Sequence, residues 1–142
     1  MRTLLWIFGA FTAVAGLYAY GFPAAFFAAV ASHTGPFNVH LMRDVGAAYL
    51  TAGAALLVAA GRPGWRAPLT SAAGLFLGLH AAVHALESPG QDLAHIAEDG
   101  LLVVLPAVVV AGVALQLVRQ ERRARAREGL ETGANAKPPA SR

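Results

Sequence analysis

The chain contains no cysteine. Disulfide staples, iron–sulfur clusters and thiol-relay chemistry are therefore excluded, and with them a membrane disulfide oxidoreductase. Any zinc site would have to be built from histidine and carboxylate alone. Charge is also scarce: Asp, Glu, Lys and Arg make up 13% of the 142 residues, hydrophobic residues 56%, and the charges sit in clumps. A soluble domain needs charged side chains spread along its sequence to wet its surface, and the long Leu/Ala/Val/Gly runs here have almost none. This composition points to an integral membrane protein of one domain. The net charge of +3 comes largely from the C-terminal tail, so it carries topology information and is not a nucleic-acid footprint.

What is present is a set of apolar runs, each close to the ~20 residues that cross ~30 Å of hydrocarbon as a helix. They lie at about 4–22, 38–60, 69–87 and 96–118. Arg2 precedes the first. A cleaved signal peptide is the rival reading of that run, but it continues past Tyr20 and Phe22 with no clear Ala-x-Ala site, which favours an anchor. Between the first two runs, Phe26 to Val30 is too short to span. It is expected to extend the first helix or lie at the interface, with Gly35-Pro36 as the break. Asn38 is the expected N-cap of the second span. Gly74 and Gly78 form a Gly-x-x-x-Gly pair that permits close helix approach. Pro106 is expected to bend the fourth span. The expected fold is all-α: a four-helix transmembrane bundle over residues 1–118 and a basic tail over 119–142, disordered from about Gly129.

Arg62 and Arg66 lie between spans two and three, and Arg119, Arg122, Arg123, Arg125 and Arg127 follow span four. With four spans these fall on the same side as Arg2, so both termini are expected in the cytoplasm, with the arginine-rich stretch against anionic lipid. All five histidines then belong to the opposite side. His80, His84 and Glu87 share one helix face at i, i+4 and i+7. His40 and Asp44 repeat the i, i+4 spacing, at which a carboxylate can orient an imidazole. His95, Glu98 and Asp99 open span four, where Glu98 is the expected first-turn acid. At 1.5 Å per residue His80 lies ~10 Å and Asp44 ~9 Å inside its helix end, and Asp99 nearer the surface. Charges facing lipid each cost a few kcal/mol, so one shared pocket is the simplest arrangement. Arg43 is expected either to clamp Glu87 or Asp99 or to bind a substrate anion, and Asn38 and Glu87 are ligand-binding or clamp candidates with it. His33 lies in a loop and is expected to be solvated.

Such a pocket suits a divalent metal, Zn²⁺, Fe²⁺ or Mn²⁺, on His80, His84, His40 and Asp44, with His95 and Asp99 next in line. No Glu-x-x-His or His-Glu-x-x-His pattern supports it. A bis-histidine haem is the less favoured cofactor. A metal-free alternative is a proton-linked acid–base site for a lipid-soluble substrate such as a quinone or isoprenoid. A third is an accessory subunit of a membrane complex, or a homo-oligomer, in which the polar groups only lock the helices.

The stretch Asn38-Val39-His40-Leu41-Met42-Arg43-Asp44-Val45-Gly46-Ala47-Ala48-Tyr49-Leu50, followed by Leu79-His80-Ala81-Ala82-Val83-His84, resembles small four-span bacterial membrane proteins of the DoxX-like kind. The likeness covers residues 1–118 and excludes the tail. It implies a four-helix bundle in the bacterial cytoplasmic membrane and, by analogy of fold alone, a link to membrane oxidoreductase systems. It assigns no catalytic residues. The leading expectation is an extracytoplasmic pocket that binds a metal or small ligand, with redox-linked chemistry as its extension.

Overall fold

Helix α1 spans Arg2–Gly21 and stops where Phe22 leaves helical geometry, its N–H donating back to the Tyr18 carbonyl at 2.9 Å. Pro23 cannot donate a helical hydrogen bond but suits a first helical position, and it opens α2, Pro23–Phe26. A π-helical turn, Phe27–Ala31, and a 3₁₀ turn, Ser32–Thr34, carry the chain on. Gly35 ends this segment at φ +125°, a conformation open to glycine alone. The piece that could have extended α1 is thus a separate helical stretch, set off by the Phe22–Pro23 break. The computed structural model describes residues 1–87 and 89–135, with side chains as far as residue 130, and contains no strand among them.

Helix α3, Val39–Gly61, begins at Asn38 as expected: its side-chain oxygen accepts from the N–H groups of His40 and Leu41 at 3.0 and 3.1 Å. A 3₁₀ turn, Pro63–Trp65, leads into α4, Arg66–Glu87, three residues earlier than the apolar run suggests. Arg66 explains the early start. Its guanidinium donates to the carbonyls of Ala59 and Ala60 at 3.2 and 3.5 Å, satisfying backbone acceptors that the end of α3 leaves open. Asp92 caps α5, Leu93–Asp99, by accepting from the His95 N–H at 2.8 Å. Glu98 lies at the far end of that helix, so it is not the first-turn acid; Asp92 holds the N-cap instead. A second π-helical turn, Gly100–Val104, precedes α6, Leu105–Asn135. Pro106 lacks an N–H and would press on the carbonyl four residues back, and the wider turn just before it accommodates both effects.

Helix α6 is apolar to Val118 and then carries an exposed arginine-rich stretch. It runs to Asn135, beyond the expected break near Gly129, because Glu, Arg, Ala and Leu sustain helix through the polar extension. Residues 136–142 of the expected disordered tail lie outside the described residues.

The helices form two antiparallel hairpins, α1 with α3 and α4 with α6, joined through α3 and α4, while α1 and α6 barely touch. Glycines set the first hairpin. A Cβ on Gly16 would fall on the Leu50 amide nitrogen, one on Gly53 on that of Ala13, and one on Gly46 within 2.5 Å of that of Tyr20. Backbone therefore meets backbone at these three positions of the seam. The Gly74/Gly78 pair does not do this. A Cβ at Gly74 would make ordinary contacts of 3.6 Å with Ala111, and Gly78 faces open space.

The well-packed core lies toward the end that holds the α3–α4 turn, where Leu5, Leu56, Ala59, Ala67, Val110 and Leu117 interlock. The outer faces are apolar too: Ile7, Val14, Leu17, Leu75, Leu79 and Val108 are all exposed. In water this would be an untenable surface, and in a bilayer it is the expected one. Four helical segments, Arg2–Gly21, Val39–Gly61, Pro63–Glu87 and Leu93–Leu130, are long and apolar enough to cross a membrane. Two fully buried hydroxyls, of Thr12 and Thr70, have no hydrogen-bond partner among the described residues. Thr70→Val keeps the shape and removes the unpaired group, so it is expected to stabilise the fold by about 1 kcal/mol. Thermal unfolding in mild detergent checks this.

Candidate functional site

At the opposite end from the packed core the bundle is hollow. The buried residues there are sparse, chiefly Ala19, Ala31, Met42 and Ala81. The space left is a cavity of about 450 Å³. Phe11, Ala15 and Tyr18 of α1 form one wall, Met42 and Val45 of α3 another, and Leu102 and Val103 of the second π-helical turn a third. The first π-helical turn adds Val30 and Ala31. Both widened turns therefore border the same cavity, in keeping with the frequent placing of π-bulges at functional sites.

The polar groups gather on one side of this space. The Nε2 atoms of His80 and His84 lie 3.2 Å apart, so one imidazole donates to the other. Nδ1 of His84 lies 2.9 Å from Oδ2 of Asp99, and Nε2 of His95 lies 3.5 Å from the same oxygen. The ring of His33 stands edge-on against that of His95, centroids 4.0 Å apart. Tyr49 packs edge-on against both His80 and Phe76, at 5.1 and 5.4 Å, so His80 is held between α3 and its own helix. His80, His84, Asp99 and His95 thus form a line. All four border the cavity, and His84, His95 and Asp99 also border a small hollow of about 20 Å³ together with His33, Glu87 and Gln91. His84, His95 and Asp99 are only 23, 18 and 15% exposed, which keeps the contacts out of bulk water.

The remaining expected site residues lie elsewhere. His40 and Asp44 do pair, at 3.4 Å, but with side chains 87 and 63% exposed they form a surface pair on the outside of α3. They cannot join His80 and His84 in one pocket, because the inward face of α3 is that of Met42, Gly46, Tyr49 and Gly53. Arg43 is exposed and forms no ion pair among the described residues, so it clamps neither Glu87 nor Asp99. Asn38 is committed to its cap. Glu87 is exposed and borders both the hollow and the cavity.

The metal expectation meets the same geometry. Among the described residues, no group of three His, Cys, Asp or Glu could hold a metal ion. The two nitrogens of His84 face opposite partners, so the donors run in series and do not converge on a point. His33 and Tyr49 were not legible as site residues. His33 sits in a loop-like segment with no helical spacing to place it, and Tyr49 reads as one more aromatic in an apolar span. No family model matches the chain, and neither a curated protein nor a solved structure matches it.

Proposed function

We propose that the chain is a multi-pass membrane protein that takes one lipid-soluble molecule into the cavity, with a hydrogen-bonding head group toward Tyr49 and His80. The observation that carries this is the asymmetry of the cavity: mostly apolar walls, with the imidazoles and carboxylates gathered on one side. A volume of about 450 Å³ falls in the range, roughly 300–1,000 Å³, of pockets that hold small organic ligands. Aromatic and aliphatic walls suit a ring or short isoprenoid portion, and the imidazoles suit a hydroxyl or carbonyl head. The slight contact between α1 and α6 favours entry sideways from the bilayer, between Phe11 or Tyr18 on one side and Leu102 on the other. The role is ligand binding with acid–base capacity at the head group, in preference to a metal centre.

The arginines at the core end, in the α3–α4 turn and the α6 extension, support a cytoplasmic position for that end and both termini. The cavity then opens in the outer leaflet of a bacterial cytoplasmic membrane. Membership of the DoxX-like group is part of this proposal and rests on the Asn38–Leu50 stretch.

β-Naphthol, a fluorescent aromatic alcohol, provides the test. Its emission should change saturably on titration with protein in mild detergent, with one molecule bound per chain. Ala15 lines the cavity from α1. Ala15→Trp fills the space and is expected to weaken binding by about a hundredfold or more. Equal binding by wild type and Ala15→Trp contradicts the reading.

A further inference from the structure

We propose that His80, His84, Asp99 and His95 form a proton path connecting the head group of the bound molecule with water at the end of the bundle. The inference rests on the reading of the cavity as a ligand site and adds what that site does to its occupant. It exchanges a proton with it.

Three observations carry it. The contacts are in series, 3.2 Å from His80 to His84, 2.9 Å from His84 to Asp99 and 3.5 Å from Asp99 to His95. His84 uses different faces for its two neighbours, meeting His80 through Nε2 and Asp99 through Nδ1, while Asp99 meets His84 and His95 through one oxygen, Oδ2. An imidazole with one partner on each nitrogen can accept a proton on one side while releasing another from the opposite side. Finally, the whole line borders the cavity, and its members beyond His80 (His84, Asp99 and His95) also border the small hollow, whose volume of about 20 Å³ has room for one water.

The proton count balances at every hop. The head-group O–H gives its proton to the free nitrogen of His80, leaving an oxyanion on the ligand. His80 passes its Nε2 proton to Nε2 of His84. His84 passes its Nδ1 proton to Oδ2 of Asp99, and the carboxylic acid so formed passes it to Nε2 of His95 or to water in the hollow. One proton leaves the ligand, one reaches the aqueous side, and no electron moves. Run in reverse, the same path protonates an anionic head group. A helix clamp would need neither the two-sided use of His84 nor the hollow beside it. The other titratable groups facing the line are Tyr49 from α3, Tyr18 from α1, Glu87 from α4, Glu98 from α5 and His33 from the turn beside α3. None of them interrupts it.

β-Naphthol serves here as well, because its hydroxyl becomes a strong acid on excitation and its emission colour reports whether the proton has left. Bound to wild type, it is expected to emit as the naphtholate. Asp99→Asn keeps size and a hydrogen-bond acceptor for His84 but cannot carry the proton onward. It should bind β-naphthol as wild type does while its proton-transfer rate falls by about a hundredfold, and Asp99→Glu should restore the rate. His84→Gln provides the same test one step nearer the ligand, should Asp99→Asn fail to fold. Wild-type transfer rates in folded Asp99→Asn or His84→Gln, with binding intact, overturn the proton path and leave the ligand site standing. Failure of wild type to bind β-naphthol removes the ligand site, and the path with it.

Discussion

Gly46→Ala is expected to disrupt the α1–α3 hairpin, although it adds a single methyl group. That methyl would lie 2.5 Å from the Tyr20 backbone nitrogen and 2.9 Å from the Gly16 carbonyl oxygen. Backbone atoms cannot turn aside as the end of a long side chain can, so the two helices must separate along the seam they share. Each contact in that seam depends on the same spacing, and the loss therefore spreads to Gly16 and Gly53. A cost of more than about 3 kcal/mol follows, at the upper end for overpacking. Gly78→Ala adds the same methyl to a helix position facing open space. It is expected to be neutral or to stabilise by up to about 1 kcal/mol through helix propensity. Thermal unfolding of the two variants in one detergent should separate them clearly. Similar melting temperatures would contradict the close seam.

Asp99→Ala is the second large effect. The carboxylate is the only acceptor shown for Nδ1 of His84 among the described residues, and it also faces His95. Removing it leaves two mostly buried imidazoles short of a partner and opens space between α4 and α5. The expected loss is about 2 kcal/mol or more. His40→Ala breaks a pair of the same chemistry and nearly the same distance, yet that pair is exposed to solvent. Its expected change is within about 0.5 kcal/mol. Comparing the two by unfolding tests whether burial, and not the mere presence of a His–Asp pair, marks the site. An equal cost for both would show that the line of imidazoles contributes nothing to the fold.

That pair of substitutions also shows where the sequence was legible. The spans, the Asn38 cap and the need for His80, His84 and Asp99 to share a protected place all follow from local rules: run length, side-chain chemistry and the cost of charge in lipid. The error over His40 and Asp44 has a different origin. An i, i+4 spacing says that two residues share a face, not which way the face looks. His40 is two residues before Met42, about 200° around the helix from the side that meets α1. The small residues Gly46 and Gly53 mark that side, and together with Gly16 they carry the seam. Gly-x-x-x-Gly drew attention instead to Gly74 and Gly78, which have no close partner. Seven-residue glycine spacing repeated on two neighbouring spans was the more telling pattern. The π-helical turns were not legible at all. They arise where a proline or a change of helix direction must be fitted between packed neighbours, a constraint no single segment contains.

The cavity explains why the polar line lies where it does. Gly16, Gly46 and Gly53 hold α1 against α3 while α1 and α6 barely touch, and the cavity lies at the end away from the α3–α4 turn. The imidazoles and Asp99 then lie at the edge of an apolar space and not within a closed core.

The most direct measurement is native mass spectrometry of the protein purified from its membrane, with organic extraction of the same sample. The account predicts one lipid-soluble molecule per chain, bearing a hydroxyl or carbonyl head, retained by wild type and by Thr70→Val and lost from Ala15→Trp. Bulk phospholipid alone, in equal amounts on wild type and Ala15→Trp, would contradict it.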